Sequence, residues 1–340
     1  MKKNVRLSMF AVLCTGIICT VLSCFGPPVR AAAAAEESGG AGGPVPVTAA
    51  PSAVPVVYMT RDISPAALAA VYEALGRQLP GKVAVKLSTG EPGGHHFLDP
   101  ALIKDLVQSV KGTIVESNTA YGGRRASTAM HKQVAADHGF TAIAAVDILD
   151  EDGSASLPFA GGKNITEDFV GSHFGNYDSY LVLSHFKGHA MGGFGGAIKN
   201  ISIGIASSQG KSWIHSGGKS KTGIRGDQNA FLESMAEAAG AVMNNLGERI
   251  VYISVMNHLS IDCDCSSNPA PPELDDIGIL ASLDPVALDR ACVDQIYASD
   301  TRRSASLRQR IESRNGRHTL DHAEALGLGS QKYELVMING

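Results

Sequence analysis

From residue 81 onward, short β-branched runs take turns with amphipathic stretches of helical length. KVAVKL is followed by DPALIKDLVQSVK, then TIVESN, a predicted helix over 126–138, and TAIAAVDIL. A strand covered on both faces reads as a nearly continuous apolar run, and a helix bridging two such strands makes them parallel. YLVLSH at 180–185 and NISIGIA at 200–206 extend the series of predicted strands. A helix follows over 227–245 with Asp227 placed to cap it, and then the strand RIVYISVMN. IGILAS, the helix DPVALDRACVDQIY with Pro285 in its first turn, two more helical stretches and the strand YELVMI complete the pattern.

The expected fold class is α/β: a mostly parallel sheet with helices on both faces, Rossmann-like, in one or two lobes. With 340 residues, 44% of them hydrophobic and 18% charged, the chain can bury the large core such a sheet requires. A formal net charge of -4, with no basic cluster on any predicted helix, excludes nucleic acid as the main partner. The alternation does not reach the N-terminus. Lys2, Lys3 and Arg6 precede LSMFAVLCTGIICTVLSCFG, so residues 1–30 read as a signal peptide or as a membrane or lipoprotein anchor, with Cys24 the candidate for lipidation. The Ala/Gly/Pro-rich residues 31–55 read as a disordered tether, and 56–340 as the α/β domain. The expected location is exported, on the periplasmic or extracellular face of a bacterial membrane, touching lipid through the anchor alone.

In open α/β sheets, ligands bind beyond the carboxyl ends of the strands. Four chemically loaded segments fall there: LSTGEPGGHHF after KVAVKL, ESNTAYGGRR after TIVESN, SHFKGH after YLVLS, and NHLSIDCDC after RIVYISV. Gly192, Gly193, Gly195 and Gly196 strip side chains from one turn and let a backbone approach a flat or anionic cofactor, although a plain mobile loop has the same composition. Neither a G-x-G-x-x-G order nor a Walker loop is present, so dinucleotides and nucleoside triphosphates lack support. His185 and His189, four residues apart, can share one face; Lys187, Lys199, Lys211 and His215 add amines and an imidazole, and His95 and His96 stand by. The bland alternative is a strand-capping histidine beside solvated ones.

Six cysteines divide into three in the N-terminal segment and Cys263, Cys265 and Cys292 in the domain. Cys263 and Cys265 stand one residue apart, a spacing that closes a strained ring, so two readings stay open: one long-range disulfide with a spare thiol, or a metal-ligating pair. Asp262 and Asp264 flank the pair as a soft anionic patch or as solvated carboxylates. Cys292 sits on an apolar helix face and reads as core.

SHFKGHAMGGFGGAIKN, the following ISIGIASSQGK, and ASLDPVALDRACVD resemble the domain of unknown function 362 family, over most of residues 56–340. Members of that family are often named iron-sulfur centre proteins, and many carry a ferredoxin-like insert with a four-cysteine run that this chain lacks. A more distant similarity is to the lactate racemase scaffold, a nickel-pincer enzyme family, in the order histidine, Gly-rich turn, lysine, apolar strand, histidine. His189 and Lys199 are ten residues apart here, and Lys199 and His215 sixteen. That resemblance implies Lys199 as the covalent cofactor anchor, His215 as the nickel ligand and His189 as general base. AYGGRRAS lacks a second histidine and offers Arg124 or Arg125 in its place.

These observations lead to an exported metal- or cofactor-binding protein, an enzyme acting on a small anionic substrate by isomerisation or redox chemistry. His189, Lys199 and Arg124 form the expected catalytic set, with Arg124 and Arg125 suited to a carboxylate or phosphate. Gly192, Gly193, Gly195, Gly196 and Lys199 are expected against a cofactor. His185, His189, His215, Cys263 and Cys265 are the candidate ligands for zinc, iron or nickel. The alternatives are a non-catalytic module for an organic anion and an iron-sulfur electron-transfer protein.

Overall fold

The computed structural model describes residues 54–339, so the expected anchor and nearly all of the expected tether lie outside the described residues. Within them the chain runs β1 (Val56–Thr60), α1 (Pro65–Ala74), β2 (Val83–Lys86), α2 (Pro100–Ser109), β3 (Thr113–Glu116), α3 (Thr128–Asp137) and β4 (Val146–Ile148). A hairpin of β5 (Ser154–Pro158) and β6 (Glu167–Gly171) precedes β7 (Ser179–His185), followed by a second hairpin of β8 (Lys187–His189) and β9 (Gly193–Gly195). Then come α4 (Ala197–Ile201), α5 (Ser208–His215), α6 (Gln228–Leu246), β10 (Ile250–Met256), β11 (Gly278–Ser282), α7 (Pro285–Ala298), α8 (Ala305–Ser313), α9 (His318–Ala325) and β12 (Glu334–Met337).

Eight strands form one sheet in the order β12-β1-β11-β10-β7-β2-β3-β4, parallel throughout except for β11. Side chains alternate between its faces as strand geometry requires. Tyr180 and Val182 of β7 pack among α4, α6, α7 and α9, whereas Leu181 and Leu183 face α1 and α2. Both faces are therefore covered, which is why the central strands are apolar over most of their length. Helices begin where short polar side chains accept backbone N–H groups: Asp99 before α2, Asp227 before α6 and Asp284 before α7. No helix among the described residues is long and apolar enough to cross a membrane.

One expected strand is absent. NISIGIA does not join the sheet; its first two residues end α4, and Ala206 makes only an isolated bridge to Val170. A tertiary cap overrides the β-branched composition, because the Asp289 carboxylate of α7 accepts the backbone N–H groups of Ala197 (2.6 Å) and Ile198 (3.0 Å) and starts a helical turn there. Placing Lys199 on that turn aims it across the end of the sheet.

Candidate active site

A cavity of ≈ 300 Å³ lies at the carboxyl edge of the sheet, where β2, β3, β7 and β10 give way to loops. β2 delivers Lys86 and β3 delivers Glu116, both buried, with Lys86 Nζ 3.1 Å from Glu116 Oε2. Glu116 also accepts the Thr89 backbone N–H at 2.9 Å and lies 3.7 Å from Arg125 Nη1. Burial alone would raise its carboxyl, but Lys86 and Arg125 outweigh burial and hold it well below the usual range.

The loop after β10 is fastened to the β7–β8 segment. Lys187 Nζ pairs with Asp264 Oδ1 and donates to the His96 carbonyl at 3.2 Å. His185 Nδ1 stands 3.2 Å from Asp264 Oδ2, and its Nε2 lies 2.7 Å from the Asn257 carbonyl. Burial opposes ionisation of Asp264, yet His185 and Lys187 bring its carboxyl down to about 2. Between the two anchors, Gly188 donates its N–H to Ser260 O at 2.9 Å, and a Cβ there would sit 2.4 Å from Ile261 O. Only glycine admits the loop this closely.

His189 and His215 present opposite chemistry to the cavity. Nδ1 of His189 accepts the backbone N–H groups of Gly192 (2.8 Å) and Met191 (3.3 Å). Burial first, then Lys199 and His215, push this imidazole well below its usual range. The ring is therefore neutral at pH 7, and its partners assign the proton to Nε2, making His189 a donor. His215 Nδ1 lies 2.6 Å from the Lys211 carbonyl, an acceptor, so Nε2 keeps the lone pair. Its ring stacks on Phe231, and burial, aided by Lys199 and Lys211, lowers it to about 4.

Lys199 Nζ has no hydrogen bond or ion pair among the described residues, and burial, followed by Lys86 and Arg125, lowers it to about 8. Lys211 Nζ donates to the Ala206 carbonyl at 2.5 Å, and burial brings it to about 7. Five cationic side chains (Lys86, Arg125, Lys187, Lys199, Lys211) and two carboxylates (Glu116, Asp264) line the cavity, an excess of three positive charges with both amines protonated.

His185, His189, Lys199, His215, Gly195, Gly196, Cys263 and Cys265 thus share one cavity. Gly192 and Gly193 shape the turn beside it, Gly192 by its N–H to His189 and Gly193 by a φ of 81°. Arg124 is displaced from the expected set: it points to the surface and pairs with Asp137 at 3.3 Å, while its neighbour Arg125 lines the cavity. His95 and His96 do not reach the lining, and Asp264 is buried and paired rather than solvated. Lys86, Glu116 and Asp289 were not expected. A lysine inside the apolar run KVAVKL and a glutamate ending TIVE were the available signals.

The metal reading meets three obstacles. His189, Cys263 and Cys265 bring one ligand atom each within 4.8 Å of one another. Cys263 and Cys265, however, are joined as a disulfide, against the expectation from their spacing, and neither sulfur can ligate while that bond is intact. His189 turns an N–H inward, where a metal-binding histidine offers a lone pair and donates from its other nitrogen. His185 has both nitrogens engaged in the wall. Among the described histidines of the cavity lining, His215 has the metal-ligand arrangement, Nδ1–H on a backbone carbonyl and Nε2 open. Cys292 is buried in the core, so no four-cysteine cluster exists among the described residues.

No curated protein matches the chain. Among solved structures it is similar to the lactate racemase apoprotein from Thermoanaerobacterium thermosaccharolyticum, at 15% identity over 58% of this chain and 50% of that one, with a TM-score of 0.36. It is also similar to a crystal structure of a Thermotoga maritima protein, at 12% identity over 68% of this chain and 57% of that one, with a TM-score of 0.40. The chain thus spans about half the length of either. A family model matches residues 83–294, from the start of β2 into α7 and across every loop of the cavity, so the chain belongs to the family described as Domain of unknown function (DUF362).

Proposed function

We propose that this protein is an enzyme that binds a small organic anion in the cavity and moves a proton on it. The observation that carries the proposal is Lys199, a half-buried ammonium without a partner among the described residues, in a cavity whose lining carries surplus positive charge and includes both an imidazole donor and an imidazole acceptor. Lys199 and Lys211 would take the anion, since Arg125 is already paired with Glu116 and Glu91. Nε2 of His215 would accept the proton. Its basicity is low in the empty cavity first because of burial and then because neighbouring ammonium groups oppose a further charge; a bound anion offsets the second cause and raises it. His189 Nε2–H would donate to the oxygen on which charge develops.

A lysine-attached metal cofactor of the kind the racemase resemblance implies would be held by Lys199 Nζ and His215 Nε2, and would supply an electron acceptor beside the substrate carbon. The basic, apolar N-terminal segment supports an exported, membrane-anchored setting for this chemistry.

The test is exchange of solvent deuterium into short-chain hydroxy- and keto-carboxylates, followed by NMR with protein prepared from its own host. Exchange that disappears in Lys199→Gln and in His215→Asn supports the reading. Thermal stabilisation by the same carboxylates with no exchange would favour the non-catalytic binding module.

A further inference from the structure

A metal ion would need the two sulfurs separately, and they are bonded to each other. We infer that Cys263 and Cys265 form a redox-active pair that exchanges with a small anionic thiol inside the cavity. This rests on the anion-binding reading for the charge of the thiol and not for the cysteine chemistry itself.

Three observations support it. A disulfide that stabilises architecture closes a long loop, whereas this one encloses a single residue, so its contribution through chain entropy is at the low end. Both sulfurs line the cavity, with Cys265 half-buried and Cys263 nearly covered, so a ligand in the cavity meets them. Donors and cations are also in place for a thiolate. The Cys265 backbone N–H donates to Cys263 Sγ at 3.4 Å, a nitrogen of His189 lies within 4.8 Å of both sulfurs, and the lining carries surplus positive charge. Asp264, fixed by Lys187 and His185, holds the backbone between the two cysteines while either bond arrangement is adopted.

The chemistry is an ordinary exchange. The thiolate of a small anionic thiol attacks Sγ of Cys265, a new S–S bond forms there, and the bond to Cys263 breaks with its electron pair left on Cys263, next to the Cys265 N–H. A second thiolate attacks the small molecule's sulfur in the mixed disulfide and releases Cys265. Two protons taken up by the cysteines complete the balance: protein disulfide and two thiols become protein dithiol and one small-molecule disulfide.

The test equilibrates the full-length protein in glutathione–glutathione disulfide buffers, blocks thiols with iodoacetamide, and follows tryptic peptide 250–290, which contains Cys263 and Cys265 and no other cysteine. The expected result is reversible passage between unmodified and doubly alkylated peptide. At matched thiolate concentration and low salt, reduction by anionic glutathione should exceed that by cationic cysteamine by about tenfold or more, the scale of electrostatic steering into a charged cleft. Lys199→Gln should shrink that ratio while exchange continues, and Cys263→Ser should accumulate a mixed disulfide at Cys265. A pair that stays oxidised at every ratio in folded protein, while small anions still raise the melting temperature, overturns the cysteine proposal alone. Exchange at equal rates with both thiols removes the anionic substrate and the anion-binding reading together.

Discussion

Replacing Asp264 with asparagine should detach the loop after β10 from the segment that follows β7. The carboxylate is buried between Lys187 and His185 and accepts from both. Its carboxyl lies at about 2 in the fold against 3.8 when free, a difference equivalent to about 2 kcal/mol of stability at pH 7. Removing one partner of a buried pair also strands the other charge, for which about 3–5 kcal/mol is usual. Asparagine keeps the shape and one acceptor, so an intermediate loss of about 2–4 kcal/mol is expected. Because the folded value is depressed, the stabilisation is complete above about pH 5 and is lost as pH falls through about 2. Urea unfolding of both proteins, monitored by far-ultraviolet ellipticity, should show the full gap at pH 7, and by pH 3 the wild type should have lost about 1 kcal/mol of it. A gap below about 0.5 kcal/mol at pH 7, the size expected of an ordinary surface substitution, or an equal gap at the two pH values, would refute the reasoning.

Lys199→Gln should abolish the rise in melting temperature caused by small carboxylates, whereas Arg124→Ala should leave it intact, since Arg124 makes only a surface ion pair. Anion affinity, followed by calorimetry, should fall as pH rises through about 7 and then about 8, where Lys211 and Lys199 lose their charges in the empty protein. Binding raises both amines, so the fall should move to higher pH at saturating anion. Gly196→Ala places a Cβ 2.2 Å from Asp289 Oδ1 and should push the clamp off α4. A loss of about 1–3 kcal/mol, the cost of unsatisfied buried donors, should appear in urea unfolding, together with weaker anion binding.

The sheet was legible because a strand buried on both faces is held to a largely apolar run, and Val83–Lys86, Ser179–His185 and Ile250–Met256 keep to it apart from a few polar residues, Lys86 and His185 at their carboxyl ends among them. NISIGIA obeys the same local pattern yet forms no strand of the sheet, since the helix-starting carboxylate comes from Asp289, 92 residues after Ala197. The convergence of four loops was readable from their positions after strands. What each residue does there was not. Lys187 and Lys199 look alike in the sequence, yet one is spent holding Asp264 and the other is open to the cavity. His189 and His215 differ only through backbone groups that accept from one ring and donate to the other. Arg124 and Arg125 are adjacent, and the local turn over Arg124–Ala126 decides which faces inward.

The central claim is that Lys199 stands unpartnered in a cavity built to receive a small anion. Brief treatment with glyoxylate and cyanoborohydride near pH 8, followed by peptide mapping, measures this directly, because the anionic aldehyde marks whichever amine is both accessible to it and partly neutral. Lys199 should be modified ahead of the surface lysines and protected by added oxalate. Labelling of Lys199 no faster than the surface lysines, or unchanged by oxalate, would contradict the account.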